Sequence, residues 1–263
     1  MDDNVKFKNM NKSVTILLDM ILYMCKSHIT LRLIDISNGI NINQATTLRY
    51  LNALINEGYA YQTKITQRYG LTWKISTFND YIQSYSSINT LSHDIISELT
   101  NKLNFGIALV IEQNMESVYL DCIYKYDQIG FDLIRIGKRT PMHSSGSGKL
   151  FLSEYTDIKL DYFINEKNLN KLTEKTITTK DDLIKELDKV RYNGYSIDDE
   201  ECETNLRCVS VPIFDYQDRI VAAISSFGST SQFTYEVIKN DVLPLLKNAA
   251  SEISFRLGGK LRE

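Results

Sequence analysis

The segment 138–153, KRTPMHSSGSGKLFLS, is rich in small residues and contains a predicted helix start. Pro141 disfavours helix before it, so we expect the helix to begin within 144–148. Free amides at a helix N-terminus attract anions, and carboxylates are the commonest small ones. The GSGK lacks the spacing of a phosphate loop, since Leu150 stands where Ser or Thr is needed. The segment therefore favours binding of a small carboxylate over nucleotide hydrolysis.

The other reactive side chains form no catalytic or metal-binding pattern. His143 and Ser144 are adjacent, which does not orient a base toward a nucleophile, and the sequence has no GxSxG elbow. The acidic run 198–201 is more typical of a solvated loop than of a metal site. Cysteines 25, 122, 202 and 208 form no CxxC pair, and scattered thiols fit the reducing cytoplasm. We predict no cofactor and no metal.

A second polar pattern lies in residues 29–59, ITLRLIDISNGININQATTLRYLNALINEGY. It predicts two short helices, the first ended at Asn38-Gly39 with Gly39 in the left-handed conformation. Asn41 or Asn43 can cap the second helix. Helical spacing predicts an inward stripe on that helix formed by Leu48, Leu51, Leu54 and Ile55. The opposite, polar face then carries Asn43, Thr46, Arg49 and Tyr50.

Two helices in this order are typical of a helix-turn-helix, in which the second helix enters the major groove of DNA. The following stretch, YAYQTKITQRYGLTWKIS, alternates apolar and polar residues and predicts a β-hairpin "wing". Thr46 and Arg49 are the expected base contacts, because Arg suits a bidentate contact with guanine. Expected phosphate contacts are Thr47, Tyr50, Lys64 and Arg68. Asn43 and Gln44, at the helix start, complete the predicted DNA-binding set.

A helix from Ser13 to about Lys26 is expected to complete the N-terminal core. Its predicted buried stripe consists of Val14, Leu17, Leu18, Ile21, Leu22 and Cys25.

Charge divides the chain unevenly. The 263 residues carry a net charge of −3, but the first 78 hold nine Lys or Arg against five Asp or Glu. A basic N-terminal region followed by an acidic remainder suits a small DNA-binding module fused to a domain with another function. We predict a DNA-binding domain at 1–78, a linker helix at 79–90 and an effector-binding domain at 91–263. No stretch approaches the ~20 apolar residues of a membrane span, so no membrane partner is expected.

Patterns after residue 104 predict strands with helices between them. The predicted strands are FGIALVIEQ, SVYLDCIY, QIGFDLIRIG, LRCVSVPIFD and RIVAAISSFG. The predicted helices span about 146–153, 156–165, 180–193 and 234–257, the last with a kink at Pro244. This order indicates an α+β domain with an antiparallel sheet. We expect helices to cover one sheet face and the other face to form a pocket.

The order of four segments resembles the IclR family of bacterial transcription regulators. These are GKRTPMHSSGSGKLFLS, TITTKDDLIKELDKVRYNGYSIDDEE, LRCVSVPIFD and RIVAAISSFG. SVTILLDMI, ITLRLIDISNGI, TTLRYLNALINEGY and RYGLTWKI resemble the family's winged helix-turn-helix, so the similarity covers about 13–258. The resemblance implies a GAF-like C-terminal α/β domain that senses a small metabolite, often an organic acid. It also implies a homodimer or dimer of dimers on a palindrome-like operator.

The family's effector pocket carries over in part. Gly146 and Ser147 match the helix-start positions that hold the effector carboxylate, and Asp198 matches the family's acidic position. Other matching positions are Leu206, Cys208 and Ser225. Phe227 replaces the second serine of the family's SxSG strand, and Thr140 stands where a leucine is usual. These departures leave two alternatives open: an effector other than glyoxylate or pyruvate, or a pocket that has lost its ligand.

The sequence thus predicts a DNA-binding transcriptional regulator controlled by a small metabolite. One alternative is a small-molecule enzyme acting on organic acids, with an N-terminal domain that does not bind DNA. The role of Cys208 is also open: it is either a buried structural thiol or a thiol that lines a pocket. A third hypothesis for the chain is a binding protein whose helix-turn-helix makes only protein contacts.

Overall fold

A computed structural model describes residues 11–27, 29–77, 88–123 and 136–260. The chain divides into two compact units, residues 1–85 and 86–263. The predicted linker helix at 79–90 and the predicted strand QIGFDLIRIG lie mostly outside the described residues. Among the helices that are described, none combines the length and the hydropathy that crossing a bilayer requires.

The N-terminal unit is a three-helix core followed by a two-stranded hairpin. Its elements are α1 (Lys12–Ser27), α2 (Leu33–Gly39), α3 (Gln44–Asn56), β1 (Ala60–Gln62), β2 (Tyr69–Leu71) and a 3-10 turn (Trp73–Ser76). The two strands are antiparallel, with Tyr61 opposite Gly70. Leu31 and Tyr69 exchange two backbone hydrogen bonds of 2.9 and 2.8 Å, which fasten the hairpin to the segment before α2. The predicted winged helix-turn-helix is confirmed.

The facing of α1 differs from the prediction. Met20 and Met24 are buried against α2, α3 and the hairpin. Val14, Leu18 and Leu22, predicted to face inward, are each more than half exposed, and Cys25 is exposed as well. The helix is apolar on nearly every side, so periodicity did not identify the face that meets the core.

Gly39 also departs from expectation. It lies within α2, and the left-handed residue after the helix is Asn41, with φ of 53°. Asparagine tolerates this conformation better than most residues. Gly39 is instead required by close packing, because a Cβ at this position would lie 2.1 Å from Cζ of Tyr23. The glycine therefore permits the approach of α1 to α2.

The second unit is a six-stranded sheet covered by helices. In chain order its first elements are α4 (Ile88–Leu103), β3 (Gly106–Glu112), β4 (Glu116–Ile123), β5 (Arg139–Pro141), α5 (Gly146–Ser153), α6 (Asp157–Lys167) and α7 (Lys180–Asn193). There follow β6 (Ser196–Asp199), β7 (Leu206–Phe214), β8 (Ile220–Ser229), α8 (Tyr235–Val237), a π-helical segment (Ile238–Val242) and α9 (Leu243–Arg256). The strand order is β5-β4-β3-β8-β7-β6, and every pair is antiparallel. This confirms the predicted α+β class.

Helices cover both faces of the sheet, whereas the sequence predicted helices on one face and a pocket on the other. Ala108 and Val110 pack with residues of α5 and α7, while Ile107 and Leu109 pack with residues of α4 and α9. All four are fully buried. A strand that is apolar at every position is typical of a sheet packed on two sides.

Helix bounds in this unit follow local signals. Ser145 caps α5 by accepting a 3.2 Å bond from Gly148 N, and Thr179 caps α7 by accepting one of 3.2 Å from Asp182 N. Gly194 ends α7 with φ of 70°. Pro244 lies in the first turn of α9, directly after the π-helical segment, where its missing N–H is tolerated. Strand β6, which carries part of the acidic run, was not predicted.

Candidate DNA-binding surface and effector cavity

Helix α3 begins at a defined cap. Asn43 is extended, and its Oδ1 accepts a 2.8 Å hydrogen bond from Thr46 N. Of the two predicted capping residues, Asn43 is therefore the cap. The helix ends at Asn56, and Gly58 follows with φ of 75°.

The buried stripe of α3 consists of Thr47, Leu51 and Leu54. Thr47 is 0% exposed, and its Oγ1 donates a 3.0 Å bond to the carbonyl of Asn43. A hydroxyl satisfied by the preceding turn can be buried at little cost. Thr47 is thus not available to a phosphate, which corrects the prediction. Leu48, predicted to face inward, is 37% exposed.

The outward face of α3 carries most of the predicted DNA-binding residues. Asn43, Gln44 and Arg49 are exposed, whereas Thr46 and Tyr50 are half-buried. Tyr50 packs against the core, and the Arg49 guanidinium lies 5.5 Å from the centre of its ring. Arg49 is the only charged residue of this helix. The face therefore combines one cation with several amides and hydroxyls.

The hairpin presents Lys64 at its turn and uses Arg68 as a brace. Thr63 N donates to Arg68 O at 2.8 Å, and Arg68 N donates to Thr63 Oγ1 at 3.0 Å, so the turn is closed. Arg68 Nη1 donates a 3.0 Å bond to the carbonyl of Thr30. Lys64 is exposed and Arg68 is half-buried. Of the two predicted phosphate contacts, Lys64 is presented to solvent and Arg68 also fastens the wing.

A cavity of about 350 Å³ lies in the second unit, beside the ends of β5 and β6. Its described lining residues are Tyr119, Lys138, Arg139, Thr140, Pro141, Leu172, Asp198, Cys202, Glu203, Leu206 and Cys208. The Arg139 guanidinium donates to Glu116 Oε2 at 3.0 Å and to Gln113 Oε1 at 2.6 Å, so its charge is paired. The cavity thus joins apolar walls to hydroxyls and one buried carboxyl group.

The predicted effector residues fall into two groups. Asp198, Leu206 and Cys208 line the cavity, as does Thr140. The others are fully buried beside it and are absent from its wall: Gly146, Ser147, Ser225 and Phe227. A Cβ on Gly146 would lie 2.7 Å from Ser210 Oγ, which itself lies 2.7 Å from Ser225 Oγ. The start of α5 therefore packs against strand β7 instead of opening into the cavity.

Asp198 is the polar centre of the wall. It is 2% exposed, and its Oδ1 accepts bonds from Glu201 N (2.8 Å) and Cys202 N (3.2 Å). Burial, together with the nearby charge of Glu201, raises the pKa of Asp198 to about 7, although Lys149 and the two amides oppose the shift. Near neutral pH this carboxyl group can donate or accept a hydrogen bond.

A buried lysine supports the turn that carries Asp198. Lys149, in α5, is 0% exposed, and its Nζ donates to Glu201 Oε1, Glu186 Oε1 and the carbonyl of Ile197. Burial lowers the pKa of Lys149, but Glu201 and Glu186 outweigh that effect and the pKa is raised. The lysine of the GSGK segment is therefore a structural cation. The acidic run is not a solvated loop at Asp198 and Glu201.

The two cavity thiols are unreactive by environment. Cys208 is buried and Cys202 is half-buried, and burial raises the pKa of each thiol. A thiol that stays protonated is a poor nucleophile and behaves as a small apolar group. Cys208 is therefore a buried thiol that also lines the cavity. Within the residues that the structure describes, no cluster of three His, Cys, Asp or Glu could hold a metal ion.

Sequence reasoning missed several lining residues. Tyr119 lies on β4, Leu172 precedes α7, and Cys202 and Glu203 follow β6. Burial raises the pKa of Tyr119 well above its usual value, so its hydroxyl stays protonated. Among the other lining residues, Lys138, Arg139 and Pro141 lie inside the segment 138–153, which carried a sequence signal. Strand pairing brings the rest together, and one sequence does not report that pairing.

Comparison with known proteins assigns both units to one family. The IclR helix-turn-helix domain matches residues 13–64, and the bacterial transcriptional regulator IclR C-terminal domain matches residues 81–255. The HTH-type transcriptional regulator KdgR of Escherichia coli K12 is 28% identical over 230 residues, which cover 85% of this chain and 84% of KdgR.

Two solved structures are similar to this fold. The Thermotoga maritima IclR structure has a TM-score of 0.62 at 28% identity, over 94% of this chain and 97% of that one. The inducer-binding domain of a PobR double mutant from Acinetobacter, in complex with 3-hydroxybenzoic acid, has a TM-score of 0.60 at 25% identity. That match covers 64% of this chain and 98% of the PobR chain. The chain belongs to the IclR family of bacterial transcriptional regulators, which pair a DNA-binding helix-turn-helix with an effector-binding domain and are not enzymes.

Proposed function

We propose that the outward face of α3 lies in the major groove of an operator, with Arg49 at a guanine. The observation that carries this proposal is the division of α3: Thr47, Leu51 and Leu54 face the core, and Arg49 faces solvent. Bidentate donors of this kind suit the O6 and N7 acceptors of guanine. Thr46, Gln44 and Asn43 are the proposed neighbouring contacts, and Tyr50 and Lys64 are proposed at phosphates.

The proposed effector is a small organic acid bound in the cavity beside Asp198. A cavity of about 350 Å³ is within the size range of small-ligand sites. A relative of similar fold holds 3-hydroxybenzoic acid, a carboxylate. Protonated Asp198 and the Tyr119 hydroxyl can donate hydrogen bonds to a carboxylate, while Leu206 and the two thiols contact its apolar part. Gly146, Ser147, Ser225 and Phe227 support this wall from behind in the proposal.

Control of DNA binding requires that the effector distinguish two arrangements of the protein. A ligand with equal affinity for both arrangements would change nothing. A tenfold change in operator affinity requires about 1.4 kcal/mol of coupling. This modest energy is within reach of a few hydrogen bonds in a buried cavity.

A cytoplasmic location remains a prediction from the scattered thiols.

We also propose a homodimer or dimer of dimers. One helix-turn-helix makes few base contacts, so two half-sites are needed for useful specificity. Val14, Leu18 and Leu22 lie four residues apart on α1 and are each more than half exposed. Such a stripe is typical of a helix that packs against another helix. In the proposal a second copy of this chain covers it.

Two experiments test these proposals on the full chain. Duplexes selected from a random pool should yield a two-fold symmetric sequence whose binding weakens steeply with salt. Recovery of no preferred sequence would contradict the placement of α3. A thermal-shift screen of small aliphatic and aromatic carboxylates should identify a stabilising ligand, because a hundredfold excess over Kd adds about 2.7 kcal/mol. The effector proposal requires that Asp198→Asn change the thermal shift that this ligand produces.

A further inference from the structure

We propose that Leu48 contacts the 5-methyl group of a thymine in each operator half-site. The proposal rests on the proposed placement of α3 in the major groove. Leu48 is 37% exposed and is absent from the cluster of side chains that forms the N-terminal core. Its neighbour Thr47 occupies the inward position, so the isobutyl group of Leu48 lies beside the buried stripe and is partly open to solvent.

The row on which Leu48 lies is suited to A·T base pairs. Gln44 precedes Leu48 by four residues and Asn52 follows it by four, and both are exposed. Residues four apart lie above one another on a helix, so the row has the order amide, isobutyl, amide. Glutamine and asparagine amides suit the N6 and N7 of adenine. The thymine methyl is the apolar group that a base pair presents in the major groove.

The charge of α3 is compatible with this contact. The helix QATTLRYLNALIN contains no acidic residue, and Arg49 is directly beside Leu48. An exposed leucine leaves apolar area in contact with water. Contact with a thymine methyl group removes that area from water, which is favourable. Arg49 would then define a guanine and Leu48 a nearby thymine. The pair gives the half-site two independent determinants.

The test removes a single methyl group from the DNA. A duplex is first selected from a random pool with the full wild-type chain, and each thymine is then replaced in turn by deoxyuridine. Loss of one well-packed methyl contact should weaken wild-type binding about three- to fivefold at one thymine per half-site. Leu48→Ala should bind the unmodified duplex about three- to fivefold more weakly and be insensitive to uracil at that thymine.

A matched variant separates this contact from general loss of apolar surface. Ile34, on α2, is 44% exposed. The Ile34→Ala variant should retain the full uracil sensitivity of the wild type. Uracil tolerated by the wild type at every thymine would overturn the Leu48 contact, and so would equal uracil sensitivity in Leu48→Ala. Failure to recover any preferred duplex would overturn the placement of α3 itself, and the Leu48 contact with it.

Discussion

The ring of Phe227 lies against the backbone of Gly106, where a Cβ on residue 106 would be 2.2 Å from Cζ of that ring. The two residues are opposite each other in the β3–β8 pairing, and Cys208 lies opposite Phe227 on the other side. Phe227 is 1% exposed. The ring therefore lies over the glycine of one neighbouring strand, and a cavity-lining thiol lies opposite Phe227 on the other. The serine that the family's SxSG strand has at this position would leave the space over that glycine open.

Gly106 and Phe227 should be strongly coupled in a double-mutant cycle. Phe227→Ala should lower the free energy of unfolding by about 3–5 kcal/mol through loss of a buried ring. Gly106→Ala should cost about 1–3 kcal/mol because its methyl group meets the ring. In the double variant Gly106→Ala should cost much less, since the obstacle is gone. Urea unfolding of the four proteins measures this coupling, and additive costs would contradict the packing described.

Lys149 should be essential to the turn that carries Asp198. Lys149→Met leaves Glu201 enclosed without its cation and should lower the free energy of unfolding at pH 7 by about 3–5 kcal/mol. The loss should shrink at pH 5. Burial already raises the pKa of Glu201, and removal of the lysine raises it further, so the carboxyl group takes up a proton in the folded state.

Lys175→Met is the matched control for that measurement. Lys175 pairs with Asp199 at 3.0 Å and with Glu200 in the same turn, but it is solvent-exposed. Exposed pairs of this kind contribute little to stability. Urea unfolding at both pH values should therefore separate the two lysines. A similar, small effect from both would show that the buried charges are satisfied without Lys149.

Asp198 should make stability depend on pH near neutrality. Its pKa in the folded protein is about 7, above its ordinary value of 3.8, so between these values the folded state holds a proton that the unfolded state releases. This contribution favours folding at low pH and is lost as pH rises through 7. The free energy of unfolding of the wild type, relative to Asp198→Asn, should fall by about 1 kcal/mol per unit between pH 5 and 7. A difference constant with pH would exclude this titration.

The exposed stripe of α1 should control assembly. Leu18→Glu places a charge in the proposed contact, so it should shift the protein toward monomer in light scattering and weaken operator binding. Ile158→Glu, at an 84% exposed position on α6, is the control and should leave the mass unchanged. A wild-type protein that is monomeric at micromolar concentration would remove the stripe from the assembly proposal.

Local sequence was enough to predict several elements of the second unit. Helices α5 and α7 occupy the predicted ranges 146–153 and 180–193. Ser145 and Thr179 cap them, and Gly194 ends α7 in the left-handed conformation. These signals act within a few residues, so one sequence reports them. The family resemblance added Asp198, Leu206 and Cys208, which the structure brings together at the cavity.

It was harder to predict which residues of a helix face the core and which residues distant in sequence are in contact. On α3 helical spacing predicts that the apolar Leu48 faces inward, yet Thr47 is buried because its hydroxyl bonds to Asn43 O. Strand β6 was missed because its acidic residues resemble a solvated turn. Glu201, just after that strand, is buried against Lys149, which lies 52 residues away in sequence. Burial of a polar group depends on such partners, and their positions are set by tertiary structure.

We expect the outward face of α3 to contact base edges in duplex DNA. Arg49→Ala tests it most directly, in a gel shift with the selected duplex at several salt concentrations and with Arg191→Ala, on α7, as control. We predict that Arg49→Ala weakens binding by about 1–3 kcal/mol and relaxes the preference at one guanine per half-site, while the control binds as the wild type does. Equal affinity and equal sequence preference in Arg49→Ala and the wild type would contradict the claim.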